Sequence, residues 1–80
     1  MTFGERLREV RERRGLSQNA LAERAGVSRQ LVFYLESGQR QSPTVDNAKK
    51  LARVLNVSID YLAGTYEGED QDTELQPAVA

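Results

Sequence analysis

The side chains best suited to specific chemistry lie together in segment 29–37, which follows a glycine-containing turn. If this segment is a helix, with about 100° between successive residues, its side chains separate onto two sides. The inner side carries small or apolar residues: Ser28, Leu31, Val32 and Leu35. The outer side carries polar and aromatic residues: Arg29, Gln30, Phe33, Tyr34 and Ser37. A guanidinium fork and a carboxamide bind partners that present paired polar atoms, so the expected chemistry is recognition by hydrogen bonding.

The composition argues against catalysis and against a metal or redox site. The sequence has no Cys, which excludes disulfides, iron–sulfur clusters and thiolate zinc sites. It has no His, which removes the commonest general base and the commonest metal ligand. No pair of carboxylates has a spacing suited to acid–base catalysis. We therefore expect a protein that is not an enzyme and that needs no cofactor or metal.

The net charge of −1 conceals an uneven distribution of charges along the chain. All eleven Lys and Arg residues lie between Arg6 and Arg53, and with seven acidic residues they give residues 1–64 a charge of +4. The five acidic residues of segment 65–80 give that segment a charge of −5. The sequence therefore predicts a basic domain over 1–64, suited to a polyanionic partner, and a disordered acidic tail over 65–80. Such a tail either aids solubility alone or contacts a protein partner.

The length of the chain limits its architecture. With 80 residues, of which 39% are hydrophobic, the chain can bury one modest core but not a second. No apolar run approaches the ~18 residues of a membrane-spanning helix, and the N-terminus lacks the apolar segment of a signal peptide. We therefore expect no membrane partner and a cytoplasmic location.

Helical periodicity and helix caps divide the basic domain into five predicted helices, with no convincing strand. A Ser or Thr precedes each apolar run as an expected N-cap, and a Gly follows most of the helices. The predicted helices run from Phe3 to a stop at Gly15, over 18–25, over 29–37, from the cap Thr44 to about Leu55, and over 59–63. The expected fold class is all-α.

The second and third predicted helices are joined by a three-residue turn, Gly26-Val27-Ser28, which is typical of a helix-turn-helix. Two short helices can cross closely only if Ala22 is small and Gly26 adopts a left-handed conformation. The wedge between them needs apolar side chains, which are supplied by Leu21, Ala25, Val27, Val32 and Leu35.

These residues resemble the Cro/C1-type helix-turn-helix family of phage repressors and bacterial regulators, also called the xenobiotic-response-element type. The similarity covers residues 3–64 and rests on four segments: Gly15–Gln18, Leu21–Ser28, Leu35–Gly38 and Leu51–Leu62. It implies a five-helix, lambda-repressor-like DNA-binding domain that acts as a transcriptional regulator.

The resemblance implies that helix 29–37 enters the major groove of double-stranded DNA. The side chains facing the bases would be Arg29, Gln30, Phe33 and Tyr34, of which the two aromatic residues depart from the polar residues usual in the family. Arg29 would bond guanine O6 and N7, Gln30 would bond adenine N6 and N7, and Phe33 would touch a thymine methyl group. Alternatively, Arg29 contacts phosphate only, and the two aromatic rings lie over the loop 39–43 or belong to a protein interface.

The resemblance also implies phosphate contacts on both sides of the reading helix and one structural ion pair. The phosphate contacts would come from Gln18, Asn19, Ser28, Ser37, Gly38, Gln39 and Arg40. The ion pair would join Arg11 of the first helix to Glu36, would be partly buried and would have no catalytic role.

Members of this family usually bind DNA as homodimers whose half-sites lie about one helical turn, ~34 Å, apart. The expected dimer surface is the last helix with its flanks: Val57, Ile59, Tyr61 and Tyr66. The alternative is a monomer whose core contains these side chains. The predicted function is that of a repressor of an inverted-repeat operator. The alternative is an antitoxin-like module that binds a protein through the acidic tail and the Phe33/Tyr34 patch.

Overall fold

The structure, a computed structural model, describes residues 2–64. Within these residues the chain forms five α-helices and no strand: α1 (Phe3–Arg13), α2 (Gln18–Ala25), α3 (Arg29–Ser37), α4 (Val45–Leu55) and α5 (Ile59–Ala63). The predicted all-α class is confirmed, and the bounds of α2, α3 and α5 coincide with those expected from the sequence. The predicted acidic tail over 65–80 lies outside the described residues, so its disorder stays a prediction.

Each helix begins where a Ser or Thr side chain accepts a hydrogen bond from a backbone N–H that lacks a helical partner. The hydroxyls that cap α2 to α5 in this way belong to Ser17, Ser28, Thr44 and Ser58. At α1 the cap is reciprocal, because Thr2 Oγ1 accepts from Glu5 N at 3.1 Å and Glu5 Oε1 accepts from Thr2 N at 3.0 Å. The starts of the helices are therefore set by local sequence.

One face of every helix contributes to a single core. Its fully buried side chains are Leu7, Val10, Leu21, Val32, Leu35, Leu51, Leu55 and Leu62. Helix α3 packs against both α1 and α2, α4 packs against α2, and α5 packs against α1 and α4. Since burying one such aliphatic side chain stabilises a fold by ~1.5–3 kcal/mol, this core holds α3 firmly by its inner side.

The turn between α2 and α3 depends on Gly26 and Ala22. Gly26 ends α2 in the left-handed conformation, with φ 76° and ψ 31°, and its N–H donates to the Ala22 carbonyl. Val27 N also donates to that carbonyl, at 3.1 Å. Ala22 itself is buried and Val27 packs against the core, so α3 can cross close above α2 as the sequence predicts.

Helix α1 meets the last turn of α3 at Gly4, which is buried. A Cβ atom at this position would overlap the carbonyl oxygen of Leu35 and would lie 2.6 Å from the carbonyl carbon and 3.1 Å from Glu36 Cα. The missing side chain therefore lets the two backbones touch. This contact sets the spacing between α1 and the helix that carries the polar outer face.

Candidate nucleic-acid interface

The candidate interface combines the outer face of α3 with the first turn of α2 and the loop that follows α3. Leu31, Val32 and Leu35 point from α3 into the core, while Arg29, Gln30 and Phe33 are exposed on the opposite side. The two sides of α3 therefore separate as the helical periodicity predicts, except that Ser28, expected on the inner side, is exposed. An exposed fork of donors and an exposed carboxamide on a rigidly held helix are suited to hydrogen bonding with base edges.

The Phe33 ring is the largest apolar group on this face, with 47% of its surface exposed. It lines one shallow hollow with Gln18, Arg29 and Gln30. It also lines a second hollow, whose other walls come from Arg8, Arg11, Gln18, Glu36 and Ser37. Phe33 thus lies between α2 and the two polar side chains at the start of α3, where an apolar contact with a thymine methyl is sterically open.

Tyr34 lies beside Phe33, with 5.8 Å between the ring centroids and 53° between the ring planes. Its hydroxyl oxygen accepts a hydrogen bond from Gln30 Nε2 at 3.0 Å. Its backbone carbonyl accepts from Arg40 N at 3.1 Å and from Ser37 Oγ at 3.3 Å. Tyr34 therefore connects the polar face of α3 to the loop after the helix.

A buried polar network joins α1, α2 and α3 behind this surface. Arg11 donates to Glu36 through two bonds, Nε to Oε2 at 2.7 Å and Nη2 to Oε1 at 3.0 Å. Only 11% of the Arg11 side chain and 4% of the Glu36 side chain are exposed. Arg11 Nη1 also donates to the Leu16 carbonyl at 2.7 Å, and Gln18 Nε2 donates to Glu36 Oε1 at 3.0 Å. The structure thus brings Arg11, Glu36 and Gln18 together.

The hydrogen bond that Arg11 donates to Glu36 raises the pKa of the Arg11 guanidinium, although burial acts in the opposite direction. Because the pKa of Arg11 is higher in the folded than in the unfolded protein, its charge stabilises the fold at any pH below the unfolded-state pKa. This stabilisation is lost only when the pH rises through the folded-state pKa. Both pKa values lie above the pH range in which proteins are handled, because a guanidinium stays protonated throughout that range. The Arg11 charge therefore contributes at every such pH.

The first turn of α2 offers further donors for an anion. Ser17 Oγ caps the helix by accepting from Ala20 N at 3.0 Å. The N–H groups of Gln18 and Asn19 precede the first helical hydrogen bond, and they carry the partial positive charge of a helix N-terminus. Asn19 is exposed, and Gln18 is half-buried against Glu36. This turn has the features of a phosphate-binding position.

The remaining predicted phosphate contacts flank α3 at its two ends. Ser28 Oγ caps the helix by accepting from Leu31 N at 3.0 Å, and its hydroxyl hydrogen is still free to donate to an anion. At the other end an exposed group is formed by Ser37, Gly38, Gln39 and Arg40. Gly38 is left-handed there, with φ 86°, which turns the chain away after α3.

The predicted dimer residues divide between the core and the surface. Val57 and Tyr61 lie in the core, with 5% and 7% of their surface exposed. The Arg6 guanidinium covers the Tyr61 ring, with Cζ 4.8 Å from the ring centroid. Ile59 is half-buried, and Tyr66 lies outside the described residues. Burial of Val57 and Tyr61 within one chain narrows the predicted dimer surface to Ile59 and its exposed neighbours.

Three contacts near the interface were not predicted from the sequence. They are the bond from Gln18 to Glu36, the bond from Gln30 to Tyr34, and the backbone contact at Gly4. Only the second has a sequence signal, since Gln30 and Tyr34 stand four residues apart on one helix face. The other two join residues that are distant along the chain.

Residues 2–64 contain no group of three or more His, Cys, Asp and Glu side chains placed to hold a metal ion. In the same part of the chain, no helix has both the length and the apolar character needed to cross a bilayer.

The fold and this surface together define a helix-turn-helix DNA-binding domain of a transcriptional regulator. The chain belongs to the Cro/C1-type helix-turn-helix family, because the family model described as helix-turn-helix matches residues 7–62. This confirms the resemblance on which the sequence-based fold rests. It also confirms that the domain is not an enzyme, since the family consists of DNA-binding regulators.

Two curated relatives from Bacillus subtilis (strain 168) are similar to this chain. The HTH-type transcriptional repressor RghR is 41% identical over 69 residues, which cover 82% of this chain and 51% of RghR. The uncharacterized HTH-type transcriptional regulator RghRB is 42% identical over 60 residues, which cover 75% of this chain and 43% of RghRB. The chain thus spans about half the length of these two relatives.

A solved structure with the same fold contains DNA. It is the crystal structure of SinR, the master regulator for biofilm formation, in complex with DNA. The two proteins share 32% identity and a TM-score of 0.73, over 75% of this chain and 95% of the SinR chain.

Proposed function

We propose that this chain is a sequence-specific, double-stranded DNA-binding repressor that recognises an inverted-repeat operator as a homodimer. The observation that carries the proposal is the division of α3. Its inner side is buried in the core, and its outer side exposes Arg29 and Gln30 next to the N-terminus of α2. Similarity to the repressor RghR and to the DNA-bound SinR supports the regulatory and DNA-binding parts of the proposal.

In this proposal α3 lies in the major groove, with Arg29, Gln30, Phe33 and Tyr34 toward the bases. The positions that hold the phosphates on either side are Gln18, Asn19, Ser28, Ser37, Gly38, Gln39 and Arg40. Residues 1–64 form the DNA-binding domain, and their net charge of +4 favours binding to a polyanion.

Dimerisation would place two copies of α3 about one helical turn of DNA apart, ~34 Å. A single copy reads only a few base pairs, so pairing two copies doubles the contacts and supplies the discrimination that a repressor needs. The contacts between the copies would come from Ile59 and from Tyr66 beyond the described residues.

Selection of bound fragments from a random duplex library at ~150 mM salt tests this function, because salt at that level suppresses non-specific phosphate binding. We expect enrichment of an inverted repeat with half-sites about one turn apart. No enrichment by folded protein would contradict the proposal and favour the protein-binding alternative through the Phe33/Tyr34 patch. Enrichment of a single half-site would contradict the homodimer alone.

Two substitutions separate base reading from phosphate binding on the selected operator. We expect Arg29→Ala to relax the base preference at one position per half-site, with a loss of ~1–3 kcal/mol of discrimination there. Gln18→Ala should instead weaken every duplex alike, by ~1 kcal/mol, because phosphate contacts carry no sequence information. Gel-shift titrations of both variants against the operator and its single-base variants measure the two effects. A uniform loss for Arg29→Ala would assign that side chain to phosphate.

A further inference from the structure

Gln30 and Tyr34 are one helical turn apart on the outer face of α3, and they are hydrogen-bonded to each other. Gln30 Nε2 is the donor and the Tyr34 hydroxyl oxygen is the acceptor, at 3.0 Å. A carboxamide has two N–H donors and one carbonyl acceptor. With one N–H used by Tyr34, Gln30 presents one N–H and its Oε1 to an incoming base.

We propose that Tyr34 is a positioning residue that fixes the amide orientation of Gln30 and so makes Gln30 select adenine over guanine. Adenine presents the N6 amino donor and the N7 acceptor in the major groove, which match one acceptor and one donor of the amide. Guanine presents two acceptors, N7 and O6, and would need both N–H groups of the amide. The inference rests on the proposed DNA-binding function and adds to it how one base is chosen.

The chemistry of the DNA surface favours the same amide orientation. In the proposed complex the Tyr34 ring faces the bases while its hydroxyl hydrogen points to a DNA phosphate, because phosphate oxygens only accept hydrogen bonds. The hydroxyl oxygen then has lone pairs to offer, and it can pair with Gln30 only as an acceptor. Gln30 must therefore turn its Nε2 toward Tyr34, which leaves its Oε1 facing the major groove.

The Tyr34 ring is restrained well enough for this role. It is half-buried, and the Phe33 ring lies against it at 5.8 Å between centroids. The bonds from Arg40 N and Ser37 Oγ to the Tyr34 carbonyl hold the end of α3 in place. Gln30 is exposed, so without the hydroxyl its amide would be free to rotate by half a turn.

The test uses Tyr34→Phe, which keeps the ring and removes only the hydroxyl. The probes are duplexes of the selected operator that differ at the base pair whose preference Gln30→Ala abolishes. We expect the wild-type protein to prefer adenine to guanine at that pair by about tenfold or more. Tyr34→Phe should reduce this ratio to within about threefold, because the amide of Gln30 can then turn either its NH2 group or its carbonyl oxygen toward the base. The double variant Gln30→Ala/Tyr34→Phe should show the same ratio as Gln30→Ala alone.

A second measurement replaces the adenine with 7-deazaadenine, which lacks the N7 acceptor. Wild-type affinity should fall several-fold, and the affinity of Tyr34→Phe should fall less, since its Gln30 contact is already weakened. The thermal midpoint of Tyr34→Phe should match that of the wild type, because the hydroxyl lies on the exposed face.

Three results would overturn the inference, and they are distinguishable. An unchanged adenine-to-guanine ratio in Tyr34→Phe, or an equal loss on all four duplexes, would leave the proposed function standing and remove the positioning role. Loss of preference at a different base pair from that of Gln30→Ala would make Tyr34 itself the reader of a base. Failure of the wild-type protein to select any operator would overturn the proposed function together with this inference.

Discussion

Replacing Glu36 with Ala is expected to lower the free energy of unfolding by ~3–5 kcal/mol, the cost of breaking a buried ion pair from one side. The substitution removes the acceptor of two bonds from Arg11 and one from Gln18. Arg11, 11% exposed, would keep its bond to the Leu16 carbonyl and a longer contact with Glu12 at 3.9 Å, but it would lose its buried charge partner. Urea unfolding followed by far-ultraviolet circular dichroism measures the change.

Glu12→Ala provides the matched control for this prediction. The Glu12 side chain is 59% exposed, pairs with Arg8 at 3.3 Å and lies 3.9 Å from Arg11, so it is an exposed acid next to the same guanidinium. Because an exposed pair contributes only ~0–1 kcal/mol, Glu12→Ala should change stability little. If Glu36→Ala cost no more than Glu12→Ala, the pair would not be buried as described.

A double substitution then distinguishes the loss of the ion pair from the cost of leaving one buried charge without its partner. Arg11→Met with Glu36→Leu leaves no buried charge, and such apolar replacements of buried ion pairs are often neutral or stabilising. The double variant should therefore be more stable than Glu36→Ala. Its Gln18 side chain would have lost its anchor, so its affinity for DNA would still be reduced.

Replacing Gly4 with Ala is expected to destabilise the protein by ~3 kcal/mol, toward the upper end of the cost of overpacking a core. The new methyl group would overlap the carbonyl oxygen of Leu35, a backbone atom that cannot rotate away as a side chain would. Either α1 must shift away from α3 or α3 must bend, and both movements open the core around Leu7. Chemical denaturation of the two proteins gives the difference directly.

The direction of the stability change in Gly4→Ala is informative, because helix propensity and the backbone clash predict opposite changes. Gly is ~1 kcal/mol less favourable than Ala inside a helix, so helix propensity alone predicts that Gly4→Ala stabilises the protein. Glu9→Ala, at an exposed position of the same helix, introduces the same residue without a clash and should stay within ~0.5 kcal/mol. A stabilised Gly4→Ala variant would mean that α1 and α3 are further apart than described.

The starts of the helices could be read from the sequence because they depend on local chemistry. Ser17, Ser28 and Ser58 cap helices whose first residues were predicted correctly. The crossing of α2 and α3 was also predictable, since Ala22 and Gly26 are required by any short turn between two packed helices.

Contacts that depend on tertiary position were harder to predict. The sequence around Gly4 is that of an ordinary helix, and only the approach of α3 makes the glycine necessary. The five residues of α5 are too few for periodicity to separate core from surface. Tyr61 was therefore expected at a dimer surface, whereas the Arg6 guanidinium covers it within one chain.

The division of α3 into a packed side and an exposed side has a consequence for how this regulator can acquire new targets. Arg29, Gln30 and Phe33 are surface residues, so exchanging them leaves the packing of Leu31, Val32 and Leu35 intact. Exposed substitutions away from special features usually change stability by less than ~0.5 kcal/mol. If α3 reads bases as proposed, duplicated copies of the gene could change their DNA targets through a few codons without passing through unfolded intermediates.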